Sequence, residues 1–127
     1  MSEPLRILIV DDDESILDLL REALSDEGYE VHIATDGALA LDLATRLAPD
    51  LILLDMRMPI VDGWAFAEAY RQQCGPHARI IVMTAARDAR AIAAGIGADG
   101  YLAKPFSLDR LFTLVEEYDP RPKRQQT

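Results

Sequence analysis

Cysteine is almost absent from this sequence, since Cys74 is the only one among 127 residues. An internal disulfide is therefore impossible, and chains without disulfides are typical of reducing, cytoplasmic surroundings. Cys74 precedes a predicted turn at Gly75 and Pro76, and no histidine motif accompanies it, so we interpret it as structural and not as a nucleophile. Long apolar runs are missing too, because no stretch approaches the roughly 20 residues of a membrane helix. The sequence predicts a cytoplasmic protein without membrane association.

Lysine is also scarce: Lys104 and Lys123 are the only two, against eleven arginines. The formal net charge is -9, and residues 120–127 hold three basic residues and no acid. Residues 1–119 therefore hold 10 basic and 22 acidic residues. A domain this acidic repels nucleic acid, so we expect no direct nucleic acid binding by it. We predict one domain over residues 1–119 and a basic tail, or the start of a linker, over residues 120–127.

Short apolar runs alternate with helical stripes along the chain. The runs that predict strands are Arg6–Val10, Val31–Thr35, Leu51–Leu54, Arg79–Met83 and Gly100–Ala103. The stripes of the first and last helices are Ile16, Leu19, Leu20, Ala23 and Leu24, and Leu108, Leu111, Phe112 and Val115. Ser107 is the predicted N-cap of the last helix. Five alternating strands and helices predict an α/β fold with a five-stranded parallel sheet, helices on both faces and right-handed crossovers.

Four of the predicted strands end on charged or polar residues. These residues are Asp11, Asp12, Asp13 and Glu14 after the first strand, then Asp55, Thr84 and Lys104. In a parallel sheet such ends share one edge, here called the carboxyl edge, where open α/β folds bind ligands. Crowded carboxylates repel one another unless a cation lies among them, and hard oxygen ligands suit Mg²⁺. Asp13 and Glu14 have a second interpretation, as acids that complement the dipole of the first helix.

These segments resemble the receiver domain of the response-regulator family in bacterial two-component signalling. The matching motifs are Ile7–Asp13, Leu54–Pro59 with Asp62 and Gly63, Met83–Ala85 and Gly97–Phe106. They extend from the first strand to the last helix, so the resemblance covers almost the whole chain. It implies a flavodoxin-like, doubly wound fold with strand order 2-1-3-4-5. It also implies a signalling module and not an enzyme with turnover.

The resemblance implies a phosphoacceptor and a metal site. Asp55 would accept the phosphoryl group and form an acyl phosphate. Asp12 and Asp55 would bind Mg²⁺ directly, and Asp11 would bind it through water. The backbone carbonyl of Arg57 would complete the protein ligands.

The resemblance also assigns residues that contact the phosphoryl group. Thr84 would donate a hydrogen bond to it, and Lys104 would pair with it. Tyr101 matches an aromatic residue that changes exposure when Thr84 moves, although an aromatic side chain that simply fills a strand fits equally well. Neither His32 nor His77 resembles a phosphohistidine, so the donor would be a sensor histidine kinase or phosphotransfer protein.

Two local features complete the predictions. We expect a cis Lys104–Pro105 peptide bond, because the chain reverses into the last helix directly after Lys104. The segment from Thr84 to Lys104 is slightly short for the family, which puts the usual output surface in doubt. The chain also lacks an output domain, so we expect a stand-alone receiver or the N-terminal part of a longer regulator that acts through a downstream partner.

Two other classes of protein remain as alternatives. Aspartate-nucleophile phosphatases also space two acids by one residue, as Asp11 and Asp13 do, but they need Thr or Val where Ser15 stands. A flavodoxin-like electron carrier is disfavoured because its anionic cofactor would meet the acidic first turn. Phosphatase turnover or a flavin spectrum would distinguish these classes from a receiver.

Overall fold

The computed structural model describes residues 4–56, 62–74 and 78–120. The strands are β1 (Arg6–Val10), β2 (Glu30–Ala34), β3 (Leu51–Asp55), β4 (Arg79–Ala85) and β5 (Gly100–Lys104). The helices are α1 (Glu14–Asp26), α2 (Gly37–Leu47), α3 (Gly63–Cys74), α4 (Ala86–Ile96) and α5 (Leu108–Tyr118). Strands and helices alternate as predicted. Within these residues, no helix is both long and apolar enough to cross a lipid bilayer.

All five strands lie in one parallel sheet, in the order β2-β1-β3-β4-β5. This confirms the predicted order. Every residue of the central strand β3 is buried, because helices cover both faces of the sheet. The register pairs Val10 with Leu54 and Asp55 with Met83. The residues that end these strands therefore meet at the carboxyl edge.

The sheet separates two apolar layers, because successive side chains of a strand point to opposite faces. One layer joins Leu8, Ile52 and Val82 of the sheet to α2, α3 and α4, where the rings of Phe66 and Tyr70 lie 6.0 Å apart. The other layer joins the alternate strand residues to α1 and α5. Helices thus cover both faces, which confirms the doubly wound α/β fold.

The predicted inward faces of α1 and α5 are only partly correct. The buried residues are Leu17, Leu20 and Leu24 in α1 and Leu111, Leu114 and Val115 in α5. By contrast, Leu19 is 55% exposed and Leu108 is 36% exposed. The apolar stripe of each helix is wider than the surface that the sheet covers, so residues at its margin remain in solvent.

The short segment after Thr84 retains a complete helix. α4 begins at Ala86, directly after β4 ends at Ala85, so any shortening lies in the connection and not in the helix. The helix spans 11 residues, from Ala86 to Ile96. α5 is capped as predicted, because the Ser107 side chain accepts the backbone N–H of Arg110 at 3.1 Å.

Candidate functional site

Two buried aspartates form the base of the carboxyl edge. Asp55 is the last residue of β3 and is 6% exposed, and Asp11 directly follows β1 and is 1% exposed. The Oδ1 atom of Asp11 accepts the backbone N–H of Asp13 at 3.0 Å, and the Asp11 N–H donates to the Ala34 carbonyl at 3.1 Å. These bonds fix the turn after β1, so the Asp11 carboxylate is held beside Asp55 by backbone groups.

Lys104, the last residue of β5, extends across this edge to both aspartates. Its Nζ atom lies 3.1 Å from Asp11 Oδ2 and 3.4 Å from Asp55 Oδ1. Burial by itself would lower the pKa of Lys104, but the charges and hydrogen bonds of the two carboxylates together raise that pKa above its ordinary value. Lys104 is therefore held in its charged form and shared between two acids. Its bond to Pro105 is cis, as predicted.

A third acid joins the cluster from the solvent side. Asp11, Asp12 and Asp55 each offer a carboxylate oxygen, and these atoms lie within 4.8 Å of one another. Asp12 is exposed while the other two are buried. Three carboxylates face one ammonium, so the cluster keeps an excess of negative charge that a divalent cation would neutralise. An all-oxygen donor set of this size fits Mg²⁺, which needs few protein ligands. Arg57, the fourth predicted ligand, lies outside the described residues.

The next two acids in the sequence do not join this cluster. Asp13 turns its carboxylate onto the start of α1, where Oδ1 accepts the N–H groups of Ser15 at 2.9 Å and Ile16 at 3.3 Å. Glu14 lies in the first turn of the same helix. These positions agree with the capping and helix-dipole interpretation. They disfavour the phosphatase alternative, which requires Asp13 to share the site of Asp11.

Thr84 and Tyr101 lie on the neighbouring strands. Thr84 is 6% exposed, immediately before the end of β4, and it faces the same cavity as Asp55 and Lys104. Tyr101 lies on the edge strand β5, opposite Val82, and is 36% exposed. Both positions are compatible with the roles that the family resemblance implies, and these roles stay predictions.

The cavity above the aspartates has apolar walls that the sequence analysis did not identify. Its volume is about 660 Å³, and it is lined by three polar residues of the carboxyl edge and by side chains from α1 and from the segment after Lys104. The sequence does contain a signal for these walls, because apolar residues follow both the acidic turn and Lys104 within a few positions. The helical spacing instead predicts that Leu19 and Leu108 face inward.

Comparison with known proteins agrees with this geometry. The profile of the family described as the response regulator receiver domain matches residues 7–116. The chain is 44% identical over 110 residues to the response regulator MprA of Mycobacterium sp. (strain KMS), which covers 85% of this chain and 47% of that protein. It is 40% identical over 121 residues to MprA of Mycobacterium leprae (strain TN), which covers 94% and 53%. The chain spans about half the length of these curated relatives.

Solved structures show the same likeness. The chemotaxis response regulator CheY4 of Vibrio cholerae matches with a TM-score of 0.83 at 32% identity, over 91% of this chain and 98% of that chain. A putative response regulator from Chloroflexus aurantiacus matches with a TM-score of 0.81 at 36% identity, over 91% and 97%. The family profile, the identities and the fold lead to one conclusion: this chain belongs to the response-regulator receiver family and is the receiver domain of a two-component response regulator.

Proposed function

We propose that Asp55 is the phosphoacceptor of this domain and takes a phosphoryl group from a sensor histidine kinase or a phosphotransfer protein. The observation that carries the proposal is the position of Asp55 at the end of the central strand, beside Asp11, Asp12 and the Lys104 ammonium. In the proposed reaction, a carboxylate oxygen of Asp55 attacks phosphorus, and the bond from phosphorus to the donor histidine nitrogen breaks.

The surrounding residues position and neutralise the transferred group. Phosphoryl transfer depends mainly on positioning and on neutralising the charge of the phosphoryl oxygens. Lys104 would exchange a carboxylate partner for a phosphoryl oxygen, and Thr84 would donate its hydroxyl hydrogen to another. Asp11, Asp12 and Asp55 would hold Mg²⁺, with Arg57 as a further proposed ligand. When bound, Mg²⁺ would neutralise charge on the phosphoryl oxygens.

A phosphoryl group on Asp55 would also bias the conformation of the domain. Lys104 now binds two carboxylates, and a dianionic phosphoryl group would compete with Asp11 for it. Thr84 would move toward the same group, and Tyr101 on the adjacent strand would respond. A downstream output protein, or an output domain in a longer chain, would read this change.

In this role the domain would be a switch and not an enzyme with turnover. The domain over residues 1–119 would promote its own phosphorylation and dephosphorylation, and residues 120–127 would form a tail or linker, of which 121–127 lie outside the described residues. Direct nucleic acid binding is not part of the proposal, because the domain is strongly acidic. We propose a reducing, cytoplasmic setting as well, because the sequence has a single cysteine.

The first prediction tests the phosphoacceptor. Intact-mass measurement after incubation with acetyl phosphate and Mg²⁺ should show one added phosphoryl group on the wild type and none on Asp55→Asn. Asp26→Asn is the matched control, because Asp26 is an exposed acid at the far end of α1. Equal modification of Asp55→Asn and the wild type would move the acceptor to another residue.

A further inference from the structure

The cavity above Asp55 has a charged floor and apolar walls. Asp55, Thr84 and Lys104 form the floor. The apolar wall consists of Ile16, Leu19 and Leu20 from α1 and Pro105, Phe106 and Leu108 from the segment before and at the start of α5. The cavity volume of about 660 Å³ exceeds what one phosphoryl group fills. The rest of the cavity therefore has room for part of the phosphodonor.

Only part of the apolar wall is explained by the core, in which Leu20 is buried and against which Ile16 and Phe106 pack. α1 already buries Leu17, Leu20 and Leu24 against the sheet, while Leu19 stays 55% exposed. Leu108 is 36% exposed on the other side of the cavity. Two large apolar side chains from different helices thus line one cavity without being needed to pack the fold. Such a surface gains free energy when an apolar group covers it.

The in-line geometry of phosphoryl transfer determines where the leaving group of the donor lies relative to the apolar wall. An attacking carboxylate oxygen and a departing group lie on opposite sides of the phosphorus atom. With Asp55 at the floor, the departing group points away from the floor and into the space between the apolar residues. A leaving group in that space would face the apolar residues that line the cavity, Leu19 and Leu108 among them.

We propose that this cavity binds the leaving group of small phosphodonors and selects acyl phosphates whose acyl group is apolar. The inference rests on the proposed phosphoacceptor function of Asp55. The Asp55 oxygen forms a bond to phosphorus, the bond from phosphorus to the acyl oxygen breaks, and the carboxylate of the donor leaves with the electron pair. Lys104 binds the anionic end of the donor, and the apolar wall binds its other end.

The test compares benzoyl phosphate with acetyl phosphate. The second-order rate constant for modification of Asp55 is measured with each donor by intact mass at saturating Mg²⁺. The quantity of interest is the ratio of the two constants. Intrinsic donor reactivity cancels when this ratio is compared between variants. Leu19→Ala should lower the ratio about fivefold, because the benzoyl ring loses apolar contact area.

Two further variants make the result specific. Leu19→Met, which keeps an apolar side chain of similar volume, should hold the ratio within about twofold of the wild type. Leu39→Ala is the matched control, because Leu39 is 41% exposed on α2, on the opposite face of the sheet. It should leave the ratio unchanged.

The outcomes separate the two proposals. An unchanged or increased ratio in Leu19→Ala, with Asp55 still modified, would overturn the donor site and leave the phosphoacceptor intact. An equal fall in Leu39→Ala would overturn it as well, because the effect would not be local. Absence of modification by both donors would overturn the phosphoacceptor function and the donor site together.

Discussion

The two edges of the sheet carry charged residues in opposite arrangements. At the amino edge, where the strands begin, charges of opposite sign alternate across the sheet. In sheet order these residues are Glu30, Arg6, Asp50, Arg79 and Asp99. At the carboxyl edge, three carboxylates lie close together, and one ammonium pairs with two of them. The first edge therefore holds three acids against two arginines, whereas the second holds three acids against one lysine and is the more negative of the two.

Contacts at the amino edge pair opposite charges. The Arg6 side chain lies 2.6 Å from Glu30, and its backbone N–H donates to Asp50 at 2.9 Å. The Arg79 side chain lies 3.3 Å from Asp99, which also accepts the N–H of Ile80 at 2.8 Å. Each exposed pair stabilises the fold by only about 0–1 kcal/mol. The amino edge thus pairs opposite charges of neighbouring strands, whereas the three carboxylates of the carboxyl edge repel one another.

The largest difference should appear when one cation is removed from each edge. Lys104→Met leaves Asp11 and Asp55 without their shared partner, so it should cost about 1–3 kcal/mol of stability. It should also slow phosphorylation of Asp55 by on the order of 10²-fold. Arg79→Met removes a cation that is 64% exposed, so it should cost less than about 1 kcal/mol. Urea unfolding and intact-mass kinetics measure both effects, and equal losses at the two edges would remove the proposed distinction.

The second effect is the response to Mg²⁺. At about ten times its dissociation constant, Mg²⁺ should stabilise the wild type by about 1.4 kcal/mol, because the unfolded chain has no preformed site. Asp12→Ala should remove most of this gain. Asp50→Asn, at the amino edge, should retain it even if its own stability is lower. Thermal unfolding with Mg²⁺ and with chelator measures the gain, and a full gain in Asp12→Ala would place the metal elsewhere.

The third effect is a change in stability that should have opposite signs at the two edges when one carboxylate is neutralised. Without metal, Asp55→Asn should be at least as stable as the wild type, because it removes one of three repelling carboxylates. Glu30→Gln should instead cost about 0.2–1 kcal/mol, because Glu30 pairs with Arg6 and His32. Urea unfolding in chelator and low salt would show both changes. A clear loss of stability in metal-free Asp55→Asn would contradict the repulsion argument.

The smallest effect is the pH dependence of the amino edge. The hydrogen bond with His32 is the largest cause that lowers the pKa of Glu30 below 4.5, and Arg6 adds to it against the opposing effect of burial. A carboxyl with a lowered folded pKa stabilises the fold above its unfolded pKa, and this contribution is lost as pH falls through the folded pKa. The stability difference between wild type and Glu30→Gln should therefore be present at about pH 7 and be lost as the pH falls through the lowered folded pKa of Glu30. A difference that persists in acid would exclude this pairing as its source.

Much of the fold was predictable because its signals are local. Buried-strand runs such as Leu51–Leu54 and helix signals such as Ser107 depend on neighbouring residues, and the parallel sheet follows from their alternation. The ends of parallel strands converge at one edge, so the amino-acid sequence alone was enough to place Asp11, Asp55 and Lys104 together. The strand order itself came from the family resemblance, and the structure confirms it.

The remaining features depend on side-chain directions that sequence spacing does not determine. The spacing of Leu19 and Leu108 fits an apolar stripe, but the width of the covered surface decides which members are buried. Asp13 follows Asp12 directly, yet a backbone donor at the start of α1 turns its carboxylate away. The charged residues of the amino edge stand where each strand begins, but their alternation in sign follows only once the strand order is known.

The direct junction between β4 and α4 has a mechanical consequence. Thr84 is two residues from the first residue of α4, and Ala85 provides no side-chain cap there. The other end of α4 is held by Arg71, which donates to the Ile96 and Gly97 carbonyls. The first turn of α4 is thus joined to Thr84 through Ala85 alone, whereas the last turn is hydrogen-bonded to α3 through Arg71. A displacement of Thr84 toward a phosphorylated Asp55 would therefore move the amino-terminal end of α4 and leave its carboxyl-terminal end in place.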